Sequence, residues 1–171
     1  VELAEVGAKA YKASEAQFLL AYAEFEAAEQ GKQRKKLDAL DKAAKAIEGS
    51  WGDMLVADAL TKASILASVT GESTKGANLA ERSLAEVQLL SPNDNTRLSM
   101  VYLARGISKL ADTRTFRAAH EDVIKARVLY GQRKAPEDRI WGMLSAWEAV
   151  VHGLIQSTSP TAHITGSRIG R

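Results

Sequence analysis

The chain has 171 residues, of which 23 are basic and 21 are acidic, and it contains no cysteine and three prolines. This length fits one domain with its own core. The lack of cysteine excludes disulfides, thiolate catalysis and cysteine-based metal sites. A net charge of +2 decides nothing about nucleic-acid binding. Abundant alanine and few aromatic residues favour close-packed helices over a strand-rich fold.

The sequence contains no stretch approaching the roughly 20 apolar residues that a membrane-spanning helix requires. It starts at Val1 rather than at methionine and shows no signal-peptide pattern. We therefore expect a soluble protein, either periplasmic or cytoplasmic. The start fits a processed exported protein or a segment cut from a longer one.

Apolar residues recur at helical spacing in seven segments, which predicts seven helices. The first covers about residues 2–30 and places four aromatic side chains on one face: Tyr11, Phe18, Tyr22 and Phe25. The second, third and fifth cover about 33–47, 53–69 and 96–111. The fourth, sixth and seventh end near residues 90, 130 and 156.

The breaks between these segments contain residues suited to helix ends. Gly71 is expected to end the third helix, because glycine adopts the left-handed conformation found there. Ser73 or Thr74 is expected to cap the fourth helix, and Asp112 or Thr113 the sixth, by accepting hydrogen bonds from free backbone amides.

Small residues recur about forty positions apart in two alternating sets, which indicates stacked helical hairpins. One set consists of Ala39, Ala80 and Ala119. The other consists of Ala21, Ala63, Ala104 and Ala146. We expect one hairpin domain over residues 1–157 and a flexible tail over 158–171, where no helical period is present.

Two segments resemble the halves of the tetratricopeptide pattern, W-x₂-L-G-x₂-Y on the first helix of a pair and small and bulky residues on the second. The first half is similar to Met100-x₂-Leu103-Ala104-x₂-Ile107. The second is similar to Ala80-x₃-Leu84-x₂-Val87 followed by Pro92. The resemblance covers about residues 14–156, although the period is nearer forty than 34 and the Trp and Tyr of the pattern are absent.

This resemblance implies an all-α, right-handed superhelix of stacked antiparallel hairpins, with three hairpins and a closing helix. It further implies a non-enzymatic scaffold or adaptor that binds a peptide or protein in the groove lined by the first helix of each pair, within an envelope assembly if Val1 is a processed start. HEAT-like pairs and an ordinary seven-helix bundle are the alternative architectures.

The fifth helix carries Tyr102, Arg105 and Lys109 at helical spacing, on a polar face opposite its apolar stripe. If this face lines the groove, the planar fork of Arg105 would bind a partner carboxylate and Tyr102 would supply contact area. The alternative is a solvated surface. The analogous face of the third helix consists of Asp58, Thr61 and Lys62.

On the seventh helix, Trp141, Glu148 and His152 lie away from the main apolar stripe. Trp141 is a candidate contact for a partner or a second subunit, and the alternative is packing on the preceding helix. Glu148 and His152 are four residues apart and share a helical face. Because two ligands bind a metal weakly, we expect no metal site.

A nucleic-acid or anionic-surface binder is the alternative function, supported by a basic cluster of Lys32, Arg34, Lys35 and Lys36. More positive charge lies toward the C-terminus, at Arg127, Arg133, Lys134, Arg139, Arg168 and Arg171. No aromatic residues interleave the cluster, as single-strand stacking would require, so a solvated helix start is the preferred interpretation.

A third hypothesis is a homo-oligomeric structural unit that stacks end to end through Trp141 and the Tyr11–Phe25 face. The sequence carries no G-x-G-x-x-G, P-loop, G-x-S-x-G or H-E-x-x-H motif. We therefore expect no enzymatic activity and no cofactor.

Overall fold

The computed structural model describes residues 2–28, 32–48, 54–132 and 138–158. In these ranges the regular structure is helical and includes no strand, which confirms the predicted all-α class. The seven α-helices are α1 (Glu2–Ala27), α2 (Gln33–Lys45), α3 (Leu55–Val69), α4 (Ser73–Leu90), α5 (Asn95–Ser108), α6 (Phe116–Gly131) and α7 (Arg139–Thr158).

Helix ends differ from the prediction at several places. α5 ends at Ser108, earlier than expected, because the chain tightens into a 3₁₀ turn over Lys109–Ala111. Glu72 occupies the N-cap of α4 and makes no side-chain capping bond, so the predicted cap at the following residues was wrong. α7 continues through Thr158, and the rest of the predicted tail, 159–171, lies outside the described residues.

The predicted end of α3 is confirmed, whereas the predicted cap of α6 belongs to the turn that precedes this helix. Gly71 ends α3 with φ +90°, a conformation that favours glycine, and the Glu72 backbone N–H then donates to the Ala67 carbonyl at 2.7 Å. The Asp112 carboxylate accepts the Arg114 backbone N–H at 2.9 Å and so caps the 3₁₀ turn over Thr113–Thr115. The N-cap of α6 itself is Thr115, which makes no side-chain capping bond.

Each helix packs against its neighbours along the chain, and α5 also packs against α3. The antiparallel pair α3–α4 shows how closely two helices approach. The Ser64 hydroxyl donates to the Gly76 carbonyl at 2.7 Å, and the hydroxyls of Thr61 and Ser83 are 2.8 Å apart. A Cβ at Gly76 would lie 3.0 Å from the Ser64 carbonyl oxygen, so this crossing requires a very small residue.

The recurring alanines mark contacts between helices in the middle of the chain. Four of them are fully buried: Ala63, Ala80, Ala104 and Ala119. The other three are half-buried or exposed: Ala21, Ala39 and Ala146. The recurrence of alanine therefore indicates close packing in the central hairpins. The packing of each helix against its neighbours is compatible with a helical-repeat fold.

The apolar core consists of two clusters. One joins α1, α2 and α3 with Leu79 of α4 and includes the fully or almost fully buried Phe18 and Phe25. The other joins α4 to α7 with Ala57 of α3, around Tyr130 and Leu144. The side chain of Tyr11, the first ring of the predicted aromatic face, lies outside the described residues. Among the described helices, we find none whose length and hydropathy would let it cross a bilayer.

Candidate functional site: a groove between α1, α3 and α5

A groove of about 490 Å³ lies between the inner faces of α1, α3 and α5, which are the first helices of the three hairpins. Its lining consists of Tyr22, Asp58, Thr61, Lys62, Asp94, Thr96, Arg97 and Met100. Lys62 is a predicted partner-binding residue, and Asp58 and Thr61 belong to the face predicted with it.

Arg97 connects the start of α5 to α3. Its Nε donates to Asp58 Oδ1 at 3.0 Å and its Nη2 donates to Asp58 Oδ2 at 3.2 Å, a bidentate pair. Its Nη1 donates to Asp94 Oδ2 at 2.7 Å, while its backbone N–H donates to Asp94 Oδ1 at 3.0 Å and so caps α5. The side chains of Arg97 and Asp58 are each 37% exposed, so this pair borders the solvent of the groove.

The hydrogen bonds of Arg97 favour the charged forms of Asp94 and of Arg97 itself. Burial alone would raise the pKa of Asp94, but hydrogen bonds from the backbone and guanidinium of Arg97 outweigh it and keep the pKa below its ordinary value. Hydrogen bonds to Asp58 and then to Asp94 raise the pKa of Arg97. Asp94 and Arg97 are therefore both charged at neutral pH.

Lys62 connects α3 to α1. Its Nζ donates to the Tyr22 hydroxyl at 3.1 Å and to Glu26 Oε1 at 3.0 Å, and it lies 5.5 Å from the centre of the Tyr22 ring. Burial tends to lower the pKa of Lys62, but its bonds to Tyr22 and Glu26 outweigh burial and raise it. With 51% of its side chain exposed, Lys62 presents its charge to the groove.

Both connections join residues about one repeat apart. Asp58 and Arg97 are separated by 39 positions, and Tyr22 and Lys62 by 40. Sequence reasoning missed four lining residues as members of a site: Asp94, Thr96, Arg97 and Met100. A search for oppositely charged residues separated by one period would have found the Asp58–Arg97 pair.

The residues predicted on the fifth helix lie on the other side of α5 and, for Lys109, in the 3₁₀ turn that follows it, against α6. Tyr102 is 6% exposed, so its expected position on a polar surface was wrong. Arg105 donates to both Asp122 carboxylate oxygens, at 2.9 and 2.5 Å, and Lys109 Nζ donates to the same carboxylate at 2.6 Å. Lys125 covers the Tyr102 ring, with Nζ 4.1 Å from its centre. Because α6 covers this face, these side chains do not line the groove.

Trp141 packs against the end of α6. A Cβ at Gly131 would lie 2.9 Å from the Trp141 ring, and the Arg127 guanidinium lies 5.7 Å from the ring centre. The half-buried indole thus occupies the alternative position that the sequence suggested, against the preceding helix. The contact of Trp141, Tyr102, Arg105 and Lys109 with a partner stays a prediction.

Glu148 and His152 do not form the pair that their spacing suggested. Glu148 makes an ion pair with Arg127, whereas the His152 ring lies beside His120 of α6, with ring centres 5.7 Å apart. In the part of the chain that the structure describes, no three His, Asp or Glu side chains are grouped in position to hold a metal ion.

The basic cluster at the start of α2 is partly neutralised. Arg34 pairs with Glu72 of the α3–α4 hairpin at 2.7 Å, and Lys36 pairs with Glu24 of α1 at 2.7 Å. Both pairs connect helices to each other, so they lower the positive potential available for phosphates. Four residues of the predicted C-terminal basic region lie outside the described residues: Arg133, Lys134, Arg168 and Arg171.

Comparisons of this chain with protein-family models, with curated proteins and with solved structures found no match.

Proposed function

We propose that this chain is a non-enzymatic protein–protein interaction module, a tetratricopeptide-like helical repeat whose α1–α3–α5 groove holds a peptide segment of a partner protein. The observation that carries the proposal is the groove itself: one concave surface receives residues from the first helix of every hairpin. A segment lying across three helices would contact side chains that are far apart in the sequence.

The hydrogen-bonding groups of the groove favour a ligand rich in acceptors. A guanidinium has five N–H donors, and Arg97 uses three of them on Asp58 and Asp94. An ammonium has three donors, and Lys62 uses two of them on Tyr22 and Glu26. Within the described residues, two N–H groups of Arg97 and one of Lys62 therefore stay available to a ligand.

The acidic groups of the groove are, by contrast, already occupied. Each carboxylate oxygen of Asp58 and of Asp94 accepts a hydrogen bond from Arg97. A basic partner would meet carboxylates whose charge Arg97 already partly neutralises, whereas a carboxylate would use N–H donors of Arg97 and Lys62 that are otherwise solvated. Tyr22 and Met100 supply apolar contact area beside these donors. We therefore expect an acidic peptide with neighbouring apolar residues.

The test uses fluorescently labelled short peptides that alternate acidic and apolar residues, and matched peptides in which Asp and Glu become Asn and Gln. Binding is measured by fluorescence polarisation. Lys62→Gln should weaken binding of the acidic peptides by about tenfold, since a hydrogen bond to a charged group contributes about 1.5–3 kcal/mol. Arg117→Gln, the same charge change on an exposed part of α6, is the control and should leave binding unchanged.

Two results would contradict the proposal. If no acidic peptide binds, or if Lys62→Gln and Arg117→Gln weaken binding equally, the groove is not a peptide site. The acidic and amide peptides could also bind equally well, with binding of both lost in Lys62→Gln. That result would place the peptide in the groove but refute the selection of carboxylates.

A further inference from the structure

We infer that His120 of α6 and His152 of α7 form a binding site for a divalent transition metal such as Zn²⁺, Ni²⁺ or Cu²⁺. The two imidazole rings come from adjacent packed helices, their centres are 5.7 Å apart and their planes are inclined by 40°. The chain has three histidines, and the fold brings two of them together from separate helices. This inference does not depend on the proposed peptide groove.

The distance between the rings suits a shared ion. An imidazole nitrogen binds Zn²⁺ at about 2.0–2.1 Å, so two imidazoles on one ion have ring centres roughly 5–6 Å apart. The observed separation already lies in this range. Rotation of the two side chains, without a shift of α6 against α7, would therefore bring one nitrogen of each ring to the metal.

A third donor lies one turn further along α7. The side-chain amide of Gln156 is 2.8 Å from His152 Nε2, where its N–H meets the lone pair of the ring nitrogen. A metal would take that lone pair, and rotation of the amide would then present its oxygen to the ion. His152 and Gln156 are exposed and His120 is half-buried, so an ion and its remaining water ligands have access from solvent.

The chemistry of this donor set selects the class of metal. Imidazole nitrogens prefer Cu²⁺, Ni²⁺ and Zn²⁺, whereas Mg²⁺ and Ca²⁺ prefer oxygen ligands. Glu148, the nearest acidic residue along the same face of α7, is engaged by Arg127 and adds no carboxylate. Because the ligands lie on two helices, the ion would hold α7 against α6.

The experiment is thermal unfolding of the whole chain, followed by circular dichroism, with ZnCl₂, NiCl₂ or MgCl₂ as the sole additive. Zn²⁺ and Ni²⁺ should raise the midpoint by about 2–4 °C, increasingly with metal concentration, and Mg²⁺ should not. The shift should be lost in His120→Ala and in His152→Ala. It should persist in His163→Ala, which removes the third histidine of the chain.

Absence of any shift at millimolar Zn²⁺ or Ni²⁺ would overturn the inference, as would a shift that survives in both single variants. If an alanine variant fails to fold, His152→Gln replaces it. Electron paramagnetic resonance of the Cu²⁺-loaded wild type gives an independent result: two coordinated imidazole nitrogens are expected, and fewer than two would also overturn the site.

Discussion

The two sides of α5 carry similar chemistry in different surroundings. On the α6 side, Arg105 and Lys109 meet Asp122, whose side chain is 6% exposed. On the groove side, Arg97 meets Asp58, and each of these side chains is 37% exposed. One arginine–carboxylate cluster is enclosed between two helices and the other borders solvent.

This difference in exposure separates the polar residues that stabilise the fold from those that remain accessible to a ligand. A charge enclosed by protein needs its partner, since the partner replaces lost hydration. A charge beside solvent is hydrated in any case, so its pairing contributes little and its spare donors are accessible. We therefore expect large effects on stability from the α6 side and small ones from the groove side.

Asp122→Asn should have the largest effect, a loss of about 2–3 kcal/mol in the free energy of unfolding. Removing one partner of a buried ion pair costs about 3–5 kcal/mol, and the partial exposure of Arg105 and Lys109 reduces this figure. Urea denaturation measures the change. Glu121→Gln, on the exposed face of the same helix, is the control, and an equal loss in both variants would contradict the enclosed role of Asp122.

Gly106→Ala should come next, with a loss of about 1–2 kcal/mol. Its Cβ would lie 2.9 Å from Val123 Cγ2 and 3.1 Å from the Ala119 carbonyl oxygen, so α5 and α6 would have to separate. Gly142→Ala in α7, where a Cβ meets nothing within 4 Å, should instead stabilise the protein by about 0.5–1 kcal/mol. Thermal unfolding of both variants checks the predicted opposite signs, and the same sign for both would refute the close crossing.

Arg97→Gln, on the groove side, should cost about 0.5–1 kcal/mol, the upper part of the range of solvent-exposed ion pairs, because Arg97 pairs with both Asp58 and Asp94. High salt should reduce this cost, because exposed charges are screened, and should change the cost of Asp122→Asn far less. Urea denaturation of the two variants at low and high salt tests the contrast. A salt-independent loss for Arg97→Gln would mean that the groove cluster is as enclosed as the α6 side.

Asp94→Asn should have the smallest effect at neutral pH, about 0.3–1 kcal/mol, the contribution of a negative charge at a helix N-terminus. Asparagine keeps the capping bond to Arg97. The pKa of Asp94 is lowered from its ordinary value of 3.8 by Arg97, so its charged form stabilises the fold above that value. This stabilisation is lost as pH falls through the lower folded pKa.

The pH dependence of unfolding distinguishes Asp94 from other acidic residues. Below about pH 4 the wild type should lose more stability per pH unit than Asp94→Asn, because the variant has no carboxylate to protonate at this position. Identical pH profiles would show that Arg97 does not stabilise the Asp94 charge in the folded protein.

The sequence alone was sufficient for the seven helices and for four of the small residues at their crossings: Ala63, Ala80, Ala104 and Ala119. Gly71 and Asp112 marked helix boundaries because they act on the few backbone groups beside them. The buried Ala63 and Ala104 followed from spacing, since close helix crossings require small side chains. Helix ends are local constraints that a few residues reveal, and the crossings are revealed by the spacing of small residues along the chain.

Tertiary structure decided which polar face of each helix stays open. The spacing of Tyr102, Arg105 and Lys109 placed them opposite the apolar stripe of α5, but α5 packs on both sides, against α3 and α4 and against α6. Hydrophobic periodicity identifies the most apolar face of a helix, but it does not show how many other helices pack against that helix. The face of α5 that looks polar in sequence is therefore covered by α6, whose buried Asp122 pairs with Arg105 and Lys109. Lys62 and Arg97 instead remain exposed to the groove.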